Sequence, residues 1–182
     1  LRRSREALGL ALQLTEVGYF EIPVSGAAHW SPRAREILGI KNPDFRPSAD
    51  TFTRYIVPED LPEFLADLEE LKMRRAPLDR ELRVRRDDGR ITWVHVQVVR
   101  QFAEDAVSYL RTVGFVRDVS RRKNAERAMT ESERKYRSVV ESSPVGVMIQ
   151  RQNKPLFCNF AHARQLGYDR VEDVRSEEHT SE

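Results

Sequence analysis

The chain has 182 residues, 40% hydrophobic and 33% charged, and its 31 Lys and Arg against 29 Asp and Glu leave a net charge of +2. This is the composition of a soluble globular protein, long enough for one ordinary domain with a fragment or for two small ones, and the near balance of charge provides no electrostatic footprint for nucleic acid. No apolar run approaches the roughly 18 residues that cross a bilayer, so no membrane contact by this segment is expected. A single cysteine, Cys158, excludes an internal disulfide and favours a reducing, cytoplasmic setting. The chain opens at Leu1 rather than Met, so the expectation is a piece of a longer protein, which could be membrane-attached.

Residues 5–17 carry Leu8, Leu10, Ala11, Leu12, Leu14 and Val17 at helical spacing, with Gly18 as the stop. Residues 19–24 read as a strand, Ser25-Gly26 as a turn and residues 27–30 as a second short strand. Ser31-Pro32 is an N-cap followed by Pro at the first helical position, and this helix stops at Gly39. The Pro- and Asp-rich stretch 41–50 is a loop, and residues 51–57 form a short helix. A longer helix follows from about Leu61 to Arg75, with Phe64, Leu65, Leu68 and Leu71 on its apolar side. The period then changes to two: Leu82 and Val84 alternate with Arg83 and Arg85, Asp88-Gly89 marks a hairpin, and Val94, Val96 and Val98 share one face of the next strand, 91–99. Trp93, His95 and Gln97 take the other face, where Trp93 packs under the N-terminal helix, lies at a dimer surface or stays partly exposed. A last strand covers 107–116. Five strands with the helices grouped between them imply an α+β antiparallel sheet rather than an alternating α/β fold.

Residues 119–135 are almost wholly charged or small. Spacings of three and four pick out Arg122, Ala125, Met129, Ser132 and Tyr136, and the pattern reads equally as a weak coiled-coil seam or as a solvated linking helix. A shift of 128 residues then lays Val145-Gly146 on Val17-Gly18 and Leu166-Gly167 on Leu38-Gly39. The order helix, strand, turn, strand, helix, Gly stop recurs between these marks. This second unit ends near Val174, without its long helix and last three strands. Residues 175–182 resemble the translated start of a sequencing-library adaptor and are set aside from the fold, His179 with them.

The segments Asp88-Gly89-Arg90-Ile91-Thr92-Trp93-Val94 and Gly114-Phe115-Val116-Arg117-Asp118-Val119-Ser120-Arg121-Arg122-Lys123, supported by Pro58-Glu59-Asp60 and residues 136–144, resemble PAS sensor domains, the first with a C-terminal PAC motif. The resemblance covers almost all of residues 4–174. It implies a PAS-like five-stranded antiparallel sheet with helices on one face. It also implies this order: a PAS domain over 1–118, a signalling-helix linker over 119–135 and a truncated second PAS domain over 136–174, ahead of the adaptor-like tail 175–182. The family's Asp-x-Thr becomes Asp118 and Ser120 here, which implies a relay that braces the exit into the helix. Asp118 is also placed to cap that helix or to pair with one of the bases after it.

Cofactor chemistry finds little support. Haem sensors of the family use a His on the helix facing the sheet, and the helix from Leu61 has none; His29, His95 and His162 read as structural or solvent-facing. Flavin photosensors need a Cys in a helical motif, whereas Cys158 falls on a strand as a small core residue. Haem and flavin are therefore disfavoured, no metal set is evident, and no catalytic residues can be assembled. Phe20, Phe64, Leu68, Leu82, Val84, Val94, Val96 and Val98 would line a small-molecule pocket or simply fill the core. The resemblance implies a sensory input module of a bacterial-type signalling protein, its output most often a histidine kinase and next a cyclic-di-GMP enzyme. The partner is a second copy of the chain, meeting through the linker helix, seam residues Arg122, Ala125, Met129, Ser132 and Tyr136, and PAS surfaces. The alternative is a ligand-free dimerisation and interaction module.

Overall fold

The structure is a computed structural model and describes residues 16–25, 27–103, 108–152 and 154–171. It divides the chain into two compact units, Leu1–Lys123 and Asn124–Glu182. The expected helix over 5–17 falls outside the described residues as far as Thr15, and His179 and the segment 175–182 lie outside them as well.

The first unit holds strand β1 (Val17–Pro23), strand β2 (His29–Trp30), helix α1 (Pro32–Ile37), a 3-10 turn (Phe52–Tyr55), helix α2 (Leu61–Arg74) and strands β3 (Leu78–Arg85), β4 (Ile91–Phe102) and β5 (Tyr109–Asp118). They form a five-stranded sheet of order β2-β1-β5-β4-β3, antiparallel throughout. The alternation in the sequence sets the sheet's two faces. Leu82 and Val84 of β3, Val94, Val96 and Val98 of β4, Val116 of β5 and Phe20 of β1 turn inward to meet Ala34 and Ile37 of α1 and Phe64 and Leu71 of α2 in one cluster. Phe20, Trp30, Phe52 and Phe64 form a chain of ring contacts through it, with centroids 5.6–6.3 Å apart.

Several boundaries differ from the sequence reading. Val17 and Gly18 open β1 instead of ending a helix, after Glu16 turns the chain at φ 55°. Gly18 serves close approach here: a Cβ would sit 2.5 Å from the Cα and N of Ala34, so its absence lets β1 lie against α1. Strand β3 starts at Leu78, four residues before its clean alternation at Leu82. Asp79 and Arg80 hid this because both are charged. Asp79 pairs with His95 across the sheet, while Arg80 reaches Asp67 and Glu63 on α2. Strand β5 runs on to Asp118, which pairs with Val94.

Helix α3 (Ser120–Ser142) carries the chain onward. In the second unit, strand β6 (Met148–Arg151) and strand β7 (Lys154–Cys158) form a hairpin, and helix α4 (Phe160–Gln165) follows. Phe160 opens that helix, because Asn159 caps it: its Oδ1 accepts from the His162 N–H at 2.9 Å. Cys158 and Ala163 are buried together, with Tyr168 and Val171 against them.

Candidate functional site: the joint of sheet and helix

The chain leaves the sheet at the end of β5, and three consecutive residues there are held in different ways. The exposed Asp118 turns its carboxylate onto the start of α3, where Oδ1 accepts from the Ser120 N–H at 2.8 Å. Of the two roles open to Asp118 in the sequence, this is the cap, and it satisfies one of the donors that a helix start leaves unpaired. Val119 is buried, and its N–H donates to the Trp93 carbonyl at 2.9 Å. Ser120 returns to the same residue of β4: its Oγ accepts from the Trp93 N–H at 3.0 Å. One residue of a neighbouring strand thus gives both main-chain groups to the first residues of the helix.

The side chains repeat this connection. Lys123 of α3 lies with its ammonium 5.2 Å from the Trp93 ring centroid and pairs with Glu81 of β3 at 2.7 Å. Arg122 pairs with the same carboxylate. Hydrogen bonding from Lys123 holds the Glu81 carboxyl below the usual carboxylate range. Near the same ring stands the cross-strand partner of Trp93, Arg83, whose guanidinium lies 5.8 Å from the centroid. Arg83 is gripped in turn by Asp60 at the start of α2. The Asp60 carboxylate accepts from the Arg83 backbone N–H at 2.8 Å and from Nε at 3.0 Å, and this hydrogen bonding keeps its carboxyl below the usual range. A continuous set of contacts therefore runs from α2 through β3 and β4 into the first turn of α3.

Asp118 and Ser120 are brought together at this joint. Of the seam residues, Arg122 is drawn back to Glu81, while Met129 and Tyr136 are 76% and 72% exposed on α3, with Ala125 and Ser132 exposed between them. The eight residues read as pocket or core do gather: Phe20, Phe64, Leu82, Val84, Val94, Val96 and Val98 belong to the buried cluster, and Leu68 packs against it. Trp93 is half-buried on the opposite face, with Arg83 and Lys123 both close to its ring. Glu81 and Val119 were not singled out from the sequence. Glu81 shares the outer face of β3 with Arg83, and that alternation is the only signal that could have found it. Among the described residues, no group of three His, Cys, Asp or Glu side chains could hold a metal ion, and no helix is long and apolar enough to cross a membrane.

A five-stranded antiparallel sheet of this order, with helices against one face and a last strand passing straight into a helix, is the architecture of a PAS-type sensor domain. The sequence matches the family described as PAS fold over residues 27–114 and the family described as PAS domain over residues 134–180. These two matches span most of the chain, which belongs to the PAS family and carries sensor domains of a signalling protein. The crystal structure of a sensory box histidine kinase/response regulator from Burkholderia thailandensis superposes with a TM-score of 0.56 at 28% identity, over 72% of this chain and 98% of that one. The N-terminal domain of a diguanylate cyclase with PAS/PAC sensor from Marinobacter aquaeolei superposes with a TM-score of 0.52 at 16% identity, over 59% and 98%, a likeness of fold. The uncharacterized protein y4lL of Sinorhizobium fredii is 30% identical over 96 residues, 53% of this chain and 12% of that relative's length.

Proposed function

We propose that the first unit is a sensory input module whose state is passed to an output domain through α3. Binding of a ligand or partner shifts the sheet, the shift changes how Trp93 holds Val119 and Ser120, and the helix changes its pose. The observation that carries this reading is the double attachment of Trp93 to the start of α3, through its main chain to Val119 and Ser120 and through its ring to Lys123. A strand that merely ended near a helix would not be tied to it at both levels. The output is a histidine kinase, as in the Burkholderia relative's description, with a cyclic-di-GMP enzyme as the other choice, by likeness to the Marinobacter protein. The helix transmits as a pair with a second copy of the chain along Ala125, Met129, Ser132 and Tyr136. The domain order 1–118, 119–135 and 136–174 belongs to the same reading, as does a cytoplasmic site of action without haem, flavin or metal.

The test is Ser120→Ala in the complete signalling protein. The fold should survive, as judged by circular dichroism, while stimulus and output activity become uncoupled. Normal stimulus-dependent output would count against the joint. A second reading, a ligand-free dimerisation module, is favoured by the close packing of the eight inner residues into one core. Constitutive dimers with output indifferent to any stimulus would select it.

A further inference from the structure

Away from the joint, the first unit concentrates arginines around the loop that holds Phe45 and Arg46. Two neighbouring clefts meet there. One, of about 270 Å³, lies beside β2 and α1 and is lined by Trp30, Arg35, Phe45 and Arg46. The other, of about 480 Å³, also touches Phe45 and Arg46 and extends to Arg54, Tyr55, Arg85 and Asp87.

The charge at these clefts is unbalanced, whereas several other arginines of the unit face a carboxylate. Elsewhere Arg33 is matched to Glu36, Arg80 to Asp67 and Glu63, Arg83 to Asp60, Arg90 to Asp88 and Arg111 to Glu21. Arg35, Arg46, Arg54 and Arg85 have no carboxylate partner among the described residues. Among the described residues, Asp87 is the one carboxylate lining either cleft, and it is occupied by Tyr55. Burial, with Asp87 beside it, pushes the Tyr55 phenol up to about 12, so it stays a neutral donor to that carboxylate. The wall of the first cleft adds another unmet donor: Trp30 is 4% exposed, and its indole Nε1 is buried without a hydrogen-bond partner among the described residues. Buried N–H groups are rarely left so. Phe45 stands edge-on to the same indole, at 5.8 Å between centroids.

We infer that these adjoining clefts bind a small polyanion, its carboxylate or phosphate groups taken by Arg46 together with Arg35 on one side and Arg54 and Arg85 on the other. Planar guanidinium forks suit both oxyanions, since each can accept two parallel hydrogen bonds. An anion also relieves the repulsion among four like charges gathered on one surface. The walls belong to elements that lead to the joint. Asp87 donates its N–H to the Leu38 carbonyl at 3.1 Å, and Arg86 reaches the Ile37 carbonyl at 2.7 Å, so the hairpin between β3 and β4 is fastened to the end of α1. An anion drawing Arg35 and Arg85 together would act on that hairpin, and so on the strand that carries Trp93. The inference names the ligand class for the sensory reading and rests on that reading for this consequence alone.

Isothermal titration of the 182-residue chain with sodium pyrophosphate and, separately, sodium citrate, at ionic strength held constant with NaCl, tests it. Saturable one-to-one binding of either probe is expected, at least tenfold weaker in Arg46→Gln and in Arg85→Gln. Arg121→Gln, on α3, should bind as the parent does. Preference for pyrophosphate assigns a phosphate ligand, and preference for citrate a carboxylate one. Arg46 and Arg85 are exposed, so both variants should fold, which circular dichroism checks. No saturable heat up to about 10 mM of either probe, unchanged binding in both cleft variants, or equal weakening in Arg121→Gln overturns the inference. Such a failure leaves the joint untouched, because that reading is measured by output in Ser120→Ala and not by binding.

Discussion

Ser31 and Asn159, 128 residues apart, make the same three hydrogen bonds at corresponding places in the two units. Ser31 Oγ accepts from the Tyr19 and Ala34 N–H groups at 2.9 and 3.2 Å, and its own N–H donates to the Tyr19 carbonyl at 2.9 Å. Asn159 Oδ1 accepts from the Val147 and His162 N–H groups at 2.8 and 2.9 Å, and its N–H donates to the Val147 carbonyl at 3.0 Å. Every partner is displaced by the same interval, as are the strand pairs Phe20↔Trp30 and Met148↔Cys158. Each residue closes a strand, caps the next helix and ties that cap to the preceding strand. Asn159 adds an amide that donates to the Val140 and Val145 carbonyls at 2.9 and 2.8 Å.

Asn159 is wholly buried, so Asn159→Ala strands several backbone groups at once. Each costs about 1–3 kcal/mol when left unsatisfied. Amide hydrogen exchange over residues 145–168 should rise sharply in this variant, with the sheet of the first unit unchanged. Asn159→Ser should keep part of the protection, because the two acceptor bonds that Ser31 makes remain available. Equal protection in all three proteins would remove the cap from its structural role.

At the joint, Asp118→Ala removes a helix cap and Ser120→Ala leaves the Trp93 N–H without its acceptor. The first should cost about 1 kcal/mol and the second about 1–3 kcal/mol. Ser120→Thr, which keeps the hydroxyl, should restore most of the loss. Urea melts with exchange at residues 119–124 give the comparison. A Thr variant no better than Ala would mean the hydroxyl is not what holds the helix.

The Glu81–Lys123 pair gives the joint a dependence on acid. The folded carboxyl of Glu81 lies below its ordinary value of 4.5, so its contribution is complete above that pH and is lost as pH falls through the lowered folded value. Both partners are partly exposed, so the contribution is about 0.2–1 kcal/mol and shrinks with salt. Tryptophan fluorescence, through Trp93 beside Lys123, should change over this range in the parent and change less in Glu81→Gln. Identical titrations would show that Glu81 does not report on the joint.

Gly18→Ala should destabilise the first unit by about 1–3 kcal/mol, since the new Cβ meets the backbone of Ala34 at 2.5 Å and backbone cannot yield as a side chain does. A denaturation midpoint equal to the parent's would refute the close approach.

Self-association along α3 predicts that Met129→Lys combined with Tyr136→Lys lowers dimer content in sedimentation without loss of helical signal. Both side chains are exposed, so neither supports the fold of the single chain. A dimer insensitive to both changes would place the contact elsewhere.

Much of this architecture is written in local pattern. Alternation in Val94, Val96 and Val98, the Ser31-Pro32 start of α1 and the Gly stops at Gly39 and Gly167 (φ +74° and +88°) depend on neighbours in sequence, which is why the fold class and the repeat could be read from them. Residues 17 and 18 misled because a glycine after an apolar stripe reads as a helix end, and only Ala34, distant in sequence, shows that its small size matters instead. Strand β3 was foreshortened because the worth of a charged residue in a strand depends on the carboxylate or imidazole that receives it. The cap at Asp118 is a local contact, one of two roles its place in the sequence leaves open. Glu81, Val119 and the grip of Trp93 on Ser120 are not legible there, because each exists only where separate strands are laid side by side. The same holds for Arg35, Arg46, Arg54 and Arg85: sequence supplies four arginines, but only the packing of the chain gathers them at adjoining clefts, none of them paired with a carboxylate among the described residues. Sequence alone determined the antiparallel sheet and the repeat. Tertiary structure decided which groups hold the exit from the sheet and where unpaired charge collects, because hydrogen bonds and ion pairs between distant residues follow from spatial register, which periodicity does not encode.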